Sequence, residues 1–146
     1  MATKRILYVL FSVMLASVMT GCATDDDTYG DIYYTLTSYT WGAEDYGYTP
    51  DGRDYYAAEY WDFYQDGSGM CEYYYEVNGY PAEQTRNYFY WDFYADDYSV
   101  IAIDFSSGSE FWTIDRIGPS RFSSYVSTSD PFYPGAESYY QTLYAM

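Results

Sequence analysis

The sequence contains no histidine, which removes Ser-His-Asp and Cys-His catalytic arrangements and most zinc sites. Positive charge is almost as scarce. Lys and Arg total 6 against 22 Asp and Glu, a formal net charge of −16. Lys4 and Arg5 open the chain, and after them only Arg53, Arg86, Arg116 and Arg121 remain, with no further lysine. A nucleic-acid binder must neutralise phosphates, so nucleic acid is excluded as a partner. Aromatic residues, by contrast, make up 25% of the chain, and 24 residues are tyrosine. That much packing surface excludes disorder despite the charge. At 146 residues there is room for one domain.

Residues 1–21 read as a secretory signal peptide. Lys4 and Arg5 form its positive start and Ile6 to Met19 its apolar run, 14 residues long. A helix of that length falls short of the ~30 Å hydrocarbon core of a bilayer. Met19-Thr20-Gly21-Cys22 follows. It resembles the lipobox of bacterial lipoproteins, although Met19 stands where leucine is commonest. The resemblance implies that Cys22 is acylated, becomes the mature N-terminus and anchors the protein to a membrane. The plain alternative is an ordinary signal peptide with an incidental cysteine. Ala23-Thr24-Asp25-Asp26-Asp27 resembles the acidic export tag of Bacteroidota surface lipoproteins, which implies display on the outer face of the outer membrane. An acidic spacer holding a domain off an anionic surface would look the same. Residues 22–31 are therefore expected to be a flexible tether. With Cys22 committed to lipid, Cys71 has no intramolecular partner and reads as a small, inert, buried hydrophobe.

From Tyr33 onward the chain alternates with a period of two, broken by turn signals at short intervals. Strands are expected at Tyr33–Trp41, Tyr60–Tyr64, Met70–Val77, Asn87–Tyr94, Tyr98–Phe105, Glu110–Arg116 and Arg121–Ser127. The connections are too short for crossover helices, so neighbouring strands run antiparallel. Alternation turns Trp61, Phe63, Phe89, Trp91, Phe93, Ile101, Ile103, Phe105, Trp112, Ile114, Phe122 and Val126 inward, because an unpartnered aspartate cannot be buried opposite them. The order of elements predicts an all-β fold, a small up-and-down meander barrel of seven or eight strands over residues 32–128. For residues 129–146 a short helix on the barrel mouth and an added strand both fit, with the helix preferred.

The series Leu36 to Trp41, Phe63-Tyr64-Gln65-Asp66-Gly67-Ser68-Gly69, Phe89-Tyr90-Trp91, Ile101-Ala102-Ile103 and Phe111-Trp112-Thr113-Ile114, ending at Phe122, resembles the lipocalin-like domains of small Bacteroidota lipoproteins. The departure is compositional, with Tyr and Asp where such domains carry Thr and Ser.

No catalytic, metal or cofactor signature emerges. The carboxylates read as solvated faces, no calcium-loop spacing occurs, and Asp96-Asp97 is only a turn. The protein is therefore not expected to be an enzyme. Two near-identical phrases, Tyr60-Trp-Asp-Phe-Tyr and Tyr90-Trp-Asp-Phe-Tyr, lie 30 residues apart and place Tyr60, Asp62, Tyr64, Tyr90, Asp92 and Tyr94 on outward faces. These six are the candidate ligand contacts, for a glycan, a small apolar ligand or a surface protein. Cross-strand pairing of the same tyrosines is the structural alternative. Two functions stand beside each other: a surface binding module, and a structural or interaction lipoprotein with a filled barrel.

Overall fold

A computed structural model describes residues 29–146 and shows helix α1 (Tyr29–Ser38) followed by eight strands. These are β1 (Thr40–Tyr48), β2 (Asp54–Phe63), β3 (Ser68–Val77), β4 (Tyr80–Phe93), β5 (Val100–Phe105), β6 (Gly108–Ile117), β7 (Arg121–Ser127) and β8 (Tyr139–Ala145). Every neighbouring pair is antiparallel, and β8 returns to β1 to close the barrel in strict chain order. The expected meander barrel is thus present, with eight strands. The signal peptide and Cys22 lie outside the described residues.

The inward assignments hold throughout. Trp41, Trp112, Phe63, Phe122, Ile101 and Ile103 are fully or almost fully buried, and Trp61, Phe89 and Trp91 nearly so. The rings interlock edge to face, Trp61 on Trp112 at 4.6 Å between centroids and Phe63 on Trp91 at 5.7 Å. Large aromatics therefore fill the barrel waist as a solid core. Trp91 also serves the hairpin between β2 and β3, its Nε1 donating to the carbonyls of Tyr64 and Ser68 at 3.1 and 3.0 Å.

Three expectations are corrected. The segment 33–41, read as a strand, is helical up to Ser38, and residues 29–31 of the expected tether form its first turn. Ile32 and Leu36, four apart, share its buried face, and Leu36 joins the barrel core. Thr37 Oγ1 and Ser38 Oγ donate back to the Tyr33 and Tyr34 carbonyls, and the Trp41 indole donates to the Leu36 carbonyl in the last turn. Lying across one barrel end, α1 also places Tyr33 against Trp91 and bonds its hydroxyl to the Gln65 carbonyl. The threonines at 35, 37 and 40 with Tyr39 suggest a strand locally, but plugging the barrel end outweighs that preference.

In the tail the added strand forms in place of the preferred helix. Residues 139–145 form a strand, with Leu143 buried between β7 and β1. Seven strands would leave β1 and β7 as open edges, and β8 covers both. The third correction concerns length, since β1, β2 and β4 reach well beyond their expected ends. Residues 80–88 of β4 have no partner on β5, so β1 to β4 continue past the closed ring at the end opposite α1. Pro81 lies within β4 beside a register shift, where the missing N–H removes no bond to β5.

Candidate functional site

Of the six sequence-derived contacts, the structure brings together only some. β3 lies between β2 and β4, so the two like phrases are not neighbours. Tyr60 belongs to a tyrosine belt on the outer face of β1 to β3. Its hydroxyl meets Tyr56 Oη at 3.1 Å and donates to Glu44 Oε1 at 3.2 Å, and Tyr56 donates to the same carboxylate at 2.9 Å. The bond to Tyr60, with burial and Glu44, raises the Tyr56 hydroxyl pKa strongly. Asp62 accepts from Thr40 Oγ1 at 2.5 Å. Tyr94 stands apart, packed on Phe111 and Phe132 and donating to Asp130.

Tyr64 and Tyr90 border one open surface cleft of about 470 Å³, and Tyr90 and Asp92 border a second of about 510 Å³. No single platform joins all six. Tyrosine pairing within the wall, as in Tyr46 on Tyr56 and Tyr125 on Tyr140, accounts for several of the other surface rings.

A different group of residues converges at the open end, inside the barrel. The register that turns Trp61 inward also turns Glu59 inward, opposite Ala43 on β1 and Tyr73 on β3. Likewise Glu110 lies two residues before Trp112 on β6 and shares its face. Cys71, opposite Trp61, and Tyr139, at the start of β8, complete the ring. The two indoles in mutual contact form its floor. Trp112 Nε1 donates to Glu110 Oε2 at 3.0 Å. The Trp61 N–H lies close enough to Glu59 to favour its charged form, yet it is buried and makes no hydrogen bond.

Electrostatics follow from this placement. Burial, and then the charge of Glu110, push the Glu59 carboxyl above its usual range. Burial, Glu59 and Glu110 together push the Cys71 thiol up to about 12. The Tyr139 hydroxyl is raised by burial, Glu110, Glu59 and Cys71 in that order. These groups sense one another, which ties strands β2, β3, β6 and β8 into one site. Among the described residues no cluster of three or more Cys, Asp or Glu side chains could hold a metal ion.

Two results are expected from these shifts. In a Cys22→Ser background, where Cys71 is the sole thiol, Ellman's reagent at about pH 8 should react slowly with native protein and fully after unfolding, because only the thiolate attacks. Rapid native reaction would contradict the burial of Cys71. A raised carboxyl pKa in the folded state means that Glu59 contributes stability below the ordinary carboxylate range and loses it as pH rises through the raised value. Glu59→Gln should therefore raise Tm near neutral pH and change it little at about pH 3, where the wild-type carboxyl is also neutral. A variant melting lower than wild type at neutral pH would show that Glu59 is held by an attractive partner.

The inward acids escape sequence reading because Glu59 and Glu110 fall at the ends of apolar alternation, where polar residues usually mark a solvated rim. Their phase with Trp61 and Trp112 was the available signal. Comparison with known proteins finds no matching family model, no matching curated protein and no matching solved structure. The class is therefore defined by the fold and this site: an eight-stranded meander barrel, plugged at one end, with an acidic mouth at the other.

Proposed function

We propose that the protein is a lipid-anchored lipoprotein of the outer membrane, displayed at the cell surface, whose lipocalin-like barrel is a non-enzymatic module binding a small polar ligand at its open mouth. The observation that carries the reading is the pair of inward carboxylates over a solid indole floor. Ordinary barrel packing would place apolar side chains there, since a buried carboxylate is costly without a partner. The filled waist leaves no room for a ligand in the core, so the rim is where binding fits.

Anchoring through acylated Cys22 rests on the Lys4-Arg5 start, the apolar run and the Thr-Gly-Cys junction. The position of α1 agrees with it. Tyr29 begins the helix at the plugged end, and the chain from Cys22 reaches it over at most about 25 Å when fully extended. The plugged end would then face the bilayer and the mouth would face away. Among the described residues no helix is long and apolar enough to cross a membrane.

Labelling cells with an alkyne fatty acid tests the anchor. Label should appear on wild type and vanish in Cys22→Ser, and label that persists in the variant would sink the assignment. Protease treatment of intact cells tests display, with cleavage expected before lysis. A thermal-shift panel of small sugars, amines and acids tests the binding role. Stabilisation by at least one compound is expected, and it should be lost in Glu110→Gln. A glycan-coated array reads the outer-face alternative, in which Tyr64, Tyr90 and Asp92 would be the contacts.

A further inference from the structure

We propose that the mouth takes a small organic ammonium ion carrying a hydroxyl on the neighbouring carbon, its nitrogen between Glu59 and Glu110 and its hydroxyl bridging Trp61 Nε1 and Glu59. The proposal rests on the binding reading above and names the ligand class for the same site.

Two carboxylates face one interior with no cation between them. The arginines among the described residues are placed elsewhere. Arg53 bonds Asp51 in the turn between β1 and β2, and Arg86 bonds Glu72 on the outer wall. Arg116 and Arg121 flank the turn at the plugged end. A cationic ligand would supply the missing counter-charge, and an anion would be repelled.

Trp61 chooses between kinds of cation. The residue is 7% exposed, and its N–H is buried without a partner beside Glu59. An indole N–H cannot ligate a metal ion, so a metal between the carboxylates would leave the Trp61 donor unsatisfied. An ammonium group, by contrast, gives one N–H to each carboxylate. A hydroxyl next to it accepts from Trp61 and donates to Glu59, satisfying the orphan donor. The hydroxyls of Tyr73 and Tyr139 sense Glu59 and so border the same space.

The test uses the full chain in detergent micelles and the indole N–H resonances of its four tryptophans. Trp61 is assigned by the peak missing in Trp61→Phe. The probes are 2-amino-1-phenylethanol, 2-phenylethylamine without the hydroxyl, and 2-phenylethanol without the nitrogen. The amino alcohol should move the Trp61 peak and leave Trp41, whose N–H is bonded to the Leu36 carbonyl at the plugged end. Loss of the hydroxyl should weaken binding about three- to tenfold, and loss of the nitrogen at least about tenfold. Glu59→Gln and Glu110→Gln should each weaken the amino alcohol at least about tenfold while the fold, read by the Trp41 peak, is kept.

Equal movement of Trp61 by neutral 2-phenylethanol would overturn the ammonium assignment and leave the mouth a binding site. A Trp61 peak unmoved by every probe at millimolar concentration would overturn the ammonium assignment. If the thermal-shift panel also gave no stabilised complex, the binding role would fall with it.

Discussion

Trp112→Ala is expected to destabilise the barrel by about 3–5 kcal/mol, the range for removing a buried large aromatic. The side chain is completely buried. It meets Trp61 at 4.6 Å, Phe122 at 5.8 Å and Phe63 at 5.9 Å between ring centroids, which makes it a keystone between β2, β6 and β7. Those partners sit on rigid strands and cannot collapse into the void. The substitution also removes the N–H that Glu110 accepts. Against a total stability of about 5–15 kcal/mol, such a loss leaves part of the population unfolded at growth temperature. Urea unfolding followed by far-ultraviolet circular dichroism measures it. A midpoint equal to wild type would show that the barrel waist is not close-packed.

Gly69→Ala should be the next most damaging change, although it adds a single methyl group. A Cβ there would lie 2.2 Å from Phe89 Cε2 and 2.7 Å from the Asp62 backbone carbonyl. The Phe89 ring cannot swing aside, because it is wedged against Phe63, Phe105 and Trp61 at 5.4 to 5.6 Å. Overpacking of this kind costs about 1–3 kcal/mol or more. Gly118→Ala supplies the comparison, since nothing stands within 4 Å of a Cβ at that turn. It should melt within error of wild type. If the two variants melted alike, Gly69 would owe its place to chain flexibility and not to the aromatic ring lying over it.

Much of the barrel was legible in the sequence because alternation is a local property. Trp91 beside Asp92, or Ile101 and Ile103 around Ala102, can point only one way when one face of a strand is dry. Elements whose state depends on distant partners were not legible. The stretch Thr35 to Thr40 carries strand-forming residues, and the helix that ends within it exists because Leu36 must seal an end of a barrel built from later residues. Residues 139–145 offered apolar spacing for a helix, and only the open edges of β1 and β7 make them a strand. The mouth failed to show for a related reason. Glu59 and Glu110 lie 51 positions apart in the chain, and their convergence depends on the register of the five strands from β2 to β6. The outward tyrosines were placed on the correct face, but their neighbours were not, because β3 intervenes.

The junction between β1 and β8 consists of two residue pairs, Trp41 with Ala145 and Gly42 with Tyr144, whereas β1 and β2 share nine. Each other junction joins strands consecutive in the chain, so its loop-closure entropy is small. This one joins the two ends of the barrel and gains the least ladder for the greatest closure cost. Hairpins can therefore assemble early as a curved sheet, while ring closure waits for both ends to meet, a non-local step of the kind that slows β proteins. Until then the edges of β1 and β8 are unpaired, and the β1 edge of a chain in that state can accept β8 from another copy. The last seven strand residues thus govern how long a newly made molecule stays open to exchange with its neighbours.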